Sequence, residues 1–420
     1  MSQESSAQMD ILSQDPGLKD RAGGRQRVCP AQETLARLLP RKQRFGITRI
    51  ANVTGLDRIG LPVFLATRPN ARSVAVSQGK GIRDADARAS ALMEAVEIWH
   101  AEHYDRPMRF SSVRELSGAH ALIDIARLPA IVGSRFDASL RMLWAEAVDL
   151  MRGCTLLVPF EMVHADYTHP VQPGHGCFPA STNGLSCGNH PLEAVCHGIC
   201  EVVERDALAI WHHAPPEQQG RRGVDPKSVD DADCLAAIGK IAAAGLHLGI
   251  WDLTSDIGVA TFLCAIMEDG NAAGHVGIGS GTHLERGVAL RRALTEAAQT
   301  RLNYISGARD DLMLAEFTSG GRDEKAEAVR RMLENNPRNR PFSDAPTQRN
   351  ETLKEDLDGL LGALRGAGID QVAAVDLTRS EIGVPVVRII IPGLEAPHDD
   401  VTYLPGRRAF QGFQTGKVSA

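Results

Sequence analysis

Hydrophobic and polar positions follow one short pattern that occurs four times along the chain. Each copy has a short apolar strand, a polar turn and a second strand rich in Val, Ile, Leu and Phe. The copies begin at Asn52, Val148, Trp251 and Val375. Branched and aromatic residues on both sides of a turn that carries glycine or charge are typical of β-hairpins. The pattern therefore predicts four hairpins.

A glycine-rich turn that opens a helix is predicted after each of the first three hairpins, at "SQGKG", "STNGLSCG" and "GIGSGT". The three helices carry carboxyl or amide side chains three residues apart at corresponding places. These pairs are Glu94/Glu97, Glu201/Glu204 and Glu296/Gln299. We therefore predict an α+β fold in which a hairpin-plus-helix unit is used three times and the fourth hairpin closes antiparallel sheets with packed helices.

The pattern is looser outside these units. Residues 1–45 are polar and rich in Ser, Gln, Asp and Arg, so we predict a loosely ordered N-terminal segment. Residues 319–352 are a charged excursion for which we predict a short helix. Residues 46–420 are expected to form a single domain.

Composition and charge exclude several classes of protein. The 420 residues carry a net charge of −6 and only 5% aromatic residues, whereas a nucleic-acid binder usually shows a basic surface. No run reaches the roughly 18 apolar residues of a membrane span, and the N-terminus does not resemble a secretory signal. Eight cysteines without a Cys-x-x-Cys pair suggest no disulfide framework. A cytoplasmic protein that binds neither nucleic acid nor membrane is expected.

Acidic side chains share one face of the helix after the second turn. Helical geometry places His197, Glu201 and Glu204 within about 80° of Glu193, and Asn189 stands one turn earlier. Such a face is either solvated or part of a metal and phosphate site. The recurrence of the carboxylates in the other helices favours a site, because a solvent face has no reason to repeat. Converging carboxylates need a cation, and Mg²⁺ prefers their oxygens.

Basic and polar side chains near these acids suit the binding of phosphate. Arg205, Arg301 and Arg309 are candidates for bidentate contacts with phosphate oxygens. Lys80 is a further candidate, although its "GKG" sequence lacks the Walker A spacing. Ser186 lies in the glycine-bounded turn, where a cap or a phosphate donor is expected.

Four segments together resemble the YcaO superfamily. They are "ARASALMEAVEIW", "STNGLSCGNHPLEAVCHGICEVVERDAL", "ALTEAAQTRLNYISGARDDL" and "IPGLE", and the resemblance runs from about Gly46 to Glu395. It implies an ATP-dependent enzyme that phosphorylates the oxygen of a backbone amide in a peptide or protein. A neighbouring Cys, Ser or Thr then gives an azoline, whereas external sulfide gives a thioamide.

The resemblance also implies roles for individual residues. It gives the carboxylates of four residues as Mg²⁺ ligands: Glu94, Glu97, Glu201 and Glu204. It gives four residues as nucleotide contacts: Ser186, Asn189, Glu193 and Arg205. Arg301 is expected at the phosphates, which makes Arg205 and Arg301 the candidate catalytic residues. The family further suggests a homodimer.

The C-terminal sequence favours one of the two products. Azoline-forming members often end in a proline-rich segment that reaches the active site, whereas "YLPGRRAFQGFQTGKVSA" contains one proline. We therefore expect thioamide formation with a TfuA-like partner that delivers sulfur. The alternative is an azoline-forming cyclodehydratase that relies on an E1-like recognition partner.

Other classes of function remain open from the residues. His100 and His103, or His197 with Glu201, suggest a zinc hydrolase, but no H-E-x-x-H motif is present and the surrounding acids suit Mg²⁺ better. A non-catalytic docking scaffold is a further alternative. Cys187 is read as a small packed residue rather than a nucleophile, because no base stands at a defined spacing.

Overall fold

The structure is a computed structural model that describes residues 15–20, 26–268 and 275–412. Its strands are β1 (Arg49–Asn52), β2 (Val63–Thr67), β3 (Val76–Lys80), β4 (Arg109–Ser111), β5 (Met142–Asp149), β6 (Cys154–Pro159), β7 (Leu185–Cys187), β8 (Leu246–Asp252), β9 (Thr261–Glu268), β10 (Gly277–Thr282), β11 (Ala373–Asp376) and β12 (Val386–Ile390). Its α-helices are α1 (Ala31–Leu38), α2 (Asp84–Glu102), α3 (Val113–Leu116), α4 (Pro191–His213), α5 (Pro216–Gly220), α6 (Ala232–Ala243), α7 (Arg286–Ser306), α8 (Ser319–Glu334) and α9 (Leu353–Gly366).

All four hairpins are confirmed. The pairs β1–β2, β5–β6, β8–β9 and β11–β12 are antiparallel, as their turn chemistry indicated. The helix in the charged excursion is also confirmed, as α8. Residues 31–45 lie inside the segment for which loose order was predicted, and they form α1 and a 3-10 helix.

The described residues form two units. The first unit comprises the described residues up to Pro30 together with Glu97–Asp206 and Asn350–Arg408. It contains a six-stranded sheet in the order β4-β5-β11-β12-β7, with β6 paired to β5. The hairpin β11–β12 therefore lies inside this sheet rather than closing it. Strand β12 pairs with β7 in this sheet, and Cys187 stands opposite Val386.

The second unit comprises Ala31–Val96, Ala207–Arg349 and the described residues from Ala409. It contains two three-stranded antiparallel sheets, β1-β2-β3 and β10-β9-β8. The helices α6 and α7 pack on the second of these sheets around a core that includes Phe262, Leu290 and Leu294. In this unit each sheet therefore supports the start of the helix that follows it in the chain.

Glycines allow two helices to approach their strands closely. A Cβ atom at Gly79 of β3 would lie 2.1 Å from the backbone nitrogen of Ala91 in α2, and one at Gly279 of β10 would lie 2.2 Å from that of Ala297 in α7. These glycines lie within strands, not in the turns that were predicted from them. Their physical role is to place backbone against backbone.

No helix among the described residues is long and apolar enough to cross a membrane.

Candidate functional site

Ser186 and Glu193 lie where β7 leads into α4 in the first unit. The Ser186 side chain is buried, and its hydroxyl donates a 2.7 Å hydrogen bond to the carbonyl of Ala194. The Glu193 carboxylate, in the first turn of α4, accepts a hydrogen bond from the backbone nitrogen of Val28 at 3.4 Å. The half-buried Asn189 precedes this turn. The structure brings three of the predicted nucleotide contacts together around the start of α4.

Strands β7 and β12 share two faces. Ser186 binds α4 through its hydroxyl, and Ile389 also meets α4, because a Cβ atom at Gly198 would lie 2.6 Å from Ile389 Cγ1. Side chains alternate along a strand and cross-strand neighbours point the same way, so Cys187 and Arg388 belong to the opposite face. The two strands therefore present two chemically different surfaces.

Glu97 is placed on the Cys187 side of these strands. The Cys187 thiol hydrogen-bonds to the Glu97 carboxylate, and burial raises the pKa of the thiol well above its usual range. The neutral thiol is a poor nucleophile, because the thiolate is the reactive species. The geometry supports the interpretation of Cys187 as a packed residue.

Glu201, Glu204 and Arg205 follow one another on α4. Glu204 is buried, whereas Glu201 and Arg205 are partly exposed. The next residue, Asp206, is fully buried and accepts two hydrogen bonds from the Arg408 guanidinium, at 2.8 and 2.9 Å. Asp206 thus fixes the segment that carries Arg408 to the helix beside the candidate site residues.

Glu94 and Lys80 lie together in the second unit. The Glu94 carboxylate accepts a hydrogen bond from the backbone nitrogen of Gln78 at 3.1 Å. Burial raises the pKa of Glu94, the charges of Arg309 and Lys80 oppose this shift, and Glu296 adds to it. Lys80 forms an ion pair with Glu296. Glu296 stood out in the recurrence but was not assigned to the site, and the structure groups it with Glu94 and Lys80.

The predicted role of Arg301 at a phosphate does not fit its surroundings. Its side chain is buried, and its Nη2 atom lies 2.5 Å from Glu268 Oε1. Nη1 donates to the carbonyl of His275, and Nε lies 3.7 Å from Asp57. The guanidinium therefore interacts with two carboxylates and a carbonyl of the protein itself. Sequence reasoning missed this because Glu268 and Asp57 lie far from Arg301 in the chain.

Arg309 has a different environment from Arg301. Its Nε atom donates to Asp311 at 2.7 Å, and its charge also acts on Glu94. The Asp311 carboxylate is partly exposed. Arg309 therefore remains near a candidate metal ligand.

Arg388 is a buried charged residue that sequence reasoning did not single out. It lies in the middle of β12 and is only 2% exposed. Nη2 donates to the carbonyl of Ser181 at 2.6 Å, but Nε and Nη1 have no hydrogen-bond acceptor among the described residues. Burial lowers its pKa, and interactions with Tyr167, Glu201 and Glu97 oppose this shift. The signal in the sequence was a single charge inside the apolar run "VPVVRIII".

The oxygen-rich donor set suits Mg²⁺ carried by a nucleotide. In the described part of the chain, no group of three or more His, Cys, Asp and Glu side chains is arranged to hold a metal ion. Mg²⁺ usually takes only one or two carboxylates and completes its shell with water and phosphate oxygens. The separate carboxylates of Glu97 and Glu201 in the first unit fit that mode of binding better than a cage made only of protein ligands.

A family model described as YcaO cyclodehydratase, ATP- and Mg²⁺-binding, matches residues 78–395. The chain belongs to the YcaO family. ATP and Mg²⁺ are accordingly the cofactors of this YcaO domain. The resemblance inferred from the motifs is confirmed, and so is the α+β fold class.

A relative in Rhizobium leguminosarum bv. trifolii, named as an uncharacterized protein in the tfuA 3′ region, is 37% identical over 380 residues. The match covers 88% of each chain. Among solved structures, a heterocyclase in complex with substrate and cofactor superposes with a TM-score of 0.74 at 22% identity. This YcaO chain has 91% of its length covered by that match and spans about half, 54%, of the heterocyclase chain.

The structure of YcaO from Methanopyrus kandleri, bound with AMPPCP and Mg²⁺, superposes with a TM-score of 0.67 at 23% identity. The match covers 88% of this chain and 92% of that one. At such identities both solved structures show the fold that this YcaO chain shares.

Proposed function

We propose that this YcaO protein activates a backbone amide of a peptide or protein by ATP-dependent phosphorylation and converts it into a thioamide. The amide oxygen attacks the γ-phosphorus of ATP, and ADP leaves. Sulfide then adds to the activated carbon, and phosphate leaves as the carbon–sulfur double bond forms. The observation that carries the proposal is the family match, which spans both groups of candidate residues.

The relative from the tfuA 3′ region supports the choice of product. Its name associates it with tfuA, and it is 37% identical to this chain over 88% of both lengths. We propose that a TfuA-like partner delivers the sulfur to this protein. The peptide substrate is the second partner that this chemistry requires.

The proposed roles follow the geometry of each unit. In the first unit we assign Glu97, Glu201 and Glu204 as carboxylate ligands of Mg²⁺ and Arg205 as a phosphate contact. Bound Mg²⁺ would neutralise phosphate charge, which is the main requirement of phosphoryl transfer. The side chains assigned here would hold the phosphates in line with the amide.

In the second unit we assign Glu94 as a further carboxylate ligand, with Lys80 and Arg309 as phosphate contacts. Lys80 must exchange its ion pair with Glu296 for a phosphate oxygen to take this role. Ser186, Asn189 and Glu193 are proposed as nucleotide contacts at the start of α4. We propose no phosphate contact for Arg301, because both of its Nη atoms are already engaged by protein oxygens.

Calorimetry with Mg-ATP tests the cofactor assignment. Replacing Glu201 with Gln keeps the size of the side chain but removes the charge, so we expect binding to weaken at least about 10-fold. Glu146→Gln is the matched control, since Glu146 lies on the exposed side of β5 in the same unit. Equal binding by the wild type and Glu201→Gln would show that the wrong carboxylate has been assigned.

Mass spectrometry of a modified peptide tests the product. Co-expression with the TfuA-like partner should yield a peptide in which sulfur has replaced one oxygen. Loss of one water instead would show an azoline and would overturn the thioamide proposal while preserving amide activation. Absence of Mg-ATP binding in the wild type would count against the enzyme altogether.

A further inference from the structure

Arg388 is a buried cation with unused hydrogen-bond donors. Its side chain is 2% exposed, and neither Nε nor Nη1 reaches an acceptor in the described part of the chain. A buried charged group whose donors are unsatisfied destabilises a protein, and folds rarely retain one without a purpose. Arg408, in the same unit, shows the ordinary solution, because its guanidinium holds both oxygens of the Asp206 carboxylate.

The position of Arg388 points to the chemistry of its missing acceptor. Arg388 lies on the same face of β7 and β12 as Cys187, whose thiol binds the Glu97 carboxylate. The nearby charge of Glu201 also acts on the guanidinium. Glu97 and Glu201 are proposed ligands of Mg²⁺, and a cation bound there would leave Arg388 without charge compensation. An anionic ligand oxygen would supply the acceptor that Nε and Nη1 lack and would balance the charge of the guanidinium.

We propose that Arg388 is a catalytic residue whose Nε and Nη1 atoms donate hydrogen bonds to the oxygens of the phosphoryl group during its transfer to the substrate amide. The assignment rests on the proposed function. In that step the bond from the amide oxygen to the γ-phosphorus forms, and the bond from the γ-phosphorus to the bridging oxygen of ADP breaks. Negative charge stays on the non-bridging oxygens, and the planar fork of arginine matches two of them.

A transition-state analogue tests this role without a peptide substrate. Calorimetry compares the affinity of the protein for Mg-ADP with its affinity for Mg-ADP plus aluminium fluoride, which mimics the phosphoryl group during transfer. The wild type should bind the fluoride complex at least about 10-fold more tightly than Mg-ADP alone, because the donors act on the transferred group. Arg388→Gln should lose this gain yet bind Mg-ADP as the wild type does. Arg388→Lys should keep part of the gain.

Arg152→Gln is the control for this measurement, since Arg152 is half-exposed and pairs with Asp149 and Asp370. It should bind both complexes like the wild type. An unchanged fluoride gain in Arg388→Gln would overturn the role of Arg388. Absence of Mg-ADP and Mg-ATP binding in the wild type would instead overturn the proposed function, and the phosphoryl assignment with it.

Stability without ligand supplies a readout that is independent of nucleotide. Because two of the three Arg388 nitrogen atoms are unsatisfied among the described residues, Arg388→Gln should leave the melting temperature of the ligand-free protein unchanged or raise it. Arg408→Gln should lower it, since it leaves the buried Asp206 carboxylate without its partner. If both variants lower the melting temperature by the same amount relative to the wild type, Arg388 has a structural role.

Binding of orthophosphate to the Mg-ADP complex distinguishes two possible ligands of Arg388. One is the phosphoryl group during transfer, and the other is the phosphate released afterwards. Weaker orthophosphate binding in Arg388→Gln, with an intact fluoride gain, would place Arg388 at the released phosphate. That result would overturn its role in transfer.

Discussion

Buried arginines in this protein differ in how their donors are used. Arg408 holds one carboxylate with two hydrogen bonds, and Arg301 binds Glu268 and a carbonyl through its two Nη atoms, which leaves only Nε without an acceptor in the described part of the chain. Arg388 keeps two donor atoms unused among the described residues. A guanidinium with satisfied donors holds its surroundings in place, whereas one with spare donors is ready for a ligand. The residue type alone does not distinguish these cases.

The histidine pair of the first unit has a defined proton arrangement. His164 Nδ1 accepts a hydrogen bond from the backbone nitrogen of Asp166 at 3.0 Å, so its proton lies on Nε2. Nε2 lies 3.0 Å from His175 Nε2 and donates to it. Burial lowers the pKa of His164 to about 4, and the charge of His175 acts in the same direction. Asp166 opposes this shift, and Arg388 adds to it.

Acid should destabilise the protein through this pair. The unfolded chain takes up a proton at His164 near pH 6.5, whereas the folded protein does so only near pH 4. The stabilisation is therefore complete above pH 6.5 and is lost as the pH falls towards 4, by at most about 3 kcal/mol. Denaturant unfolding of His164→Gln should show a flatter pH profile in this window. His120→Gln, at an exposed position, should leave the profile unchanged.

At the residue scale, sequence reasoning can select candidates where a pattern recurs. The carboxylates were selected because Glu94 and Glu201 occupy corresponding places in two helices. The partners of Arg301 were missed because an ion pair between distant segments leaves no local pattern. The candidate site as a whole stays a prediction from motifs, and the structure shows how each residue is held.

Close contact between a helix and a strand recurs at the element scale. Where β3 meets α2 and β10 meets α7, a glycine stands at a point where any side chain would overlap the helix backbone. Glu94 lies on α2 and Glu296 on α7, so these contacts fix the distance of each residue from the sheet on which its helix packs. The glycine spacing was visible in the sequence, but it was read as a turn because glycine is also the commonest turn residue.

Replacing Gly279 with Ala should therefore be severely destabilising. The new Cβ would lie 2.2 Å from the backbone nitrogen of Ala297, and backbone cannot move aside as a flexible side chain can. We expect a loss of about 3 kcal/mol or more in the free energy of unfolding, at the upper end for overpacking. Gly239→Ala in α6 is the control, because nothing lies within 4 Å of its added Cβ.

The control should behave in the opposite way. Alanine in a helix interior is favoured over glycine by roughly 0.5–1 kcal/mol, so Gly239→Ala should be slightly stabilising. Equal effects of the two substitutions in urea unfolding would contradict the close-contact explanation.

Hairpins and sheet order differ in how far sequence can predict them at the scale of the whole molecule. The four hairpins follow from local turn chemistry and were confirmed. The position of β11–β12 between β5 and β7 was not predicted, because alternating apolar residues define a strand but not its partner. Strand order depends on the packing of the whole chain.

Ligand binding should stabilise the whole protein, since Mg-ATP binds the folded chain and not the unfolded one. At about 100 times its dissociation constant, Mg-ATP should add about 2.7 kcal/mol. For a chain of 420 residues this corresponds to a rise in melting temperature of roughly 3 °C. EDTA should abolish the rise, because the phosphates need the cation. A shift that survives chelation would show nucleotide binding that does not depend on Mg²⁺.

The pairing of β7 with β12 also constrains how the protein can be made. Ser186 lies on a three-residue strand whose partner is synthesised about 200 residues later, so a nascent chain holds this segment without a neighbour for nearly half of translation. Closing so long a loop is slow, and the edge exposed meanwhile is open to wrong partners. A growing chain would contain every proposed carboxylate ligand well before the sheet beneath α4 could form.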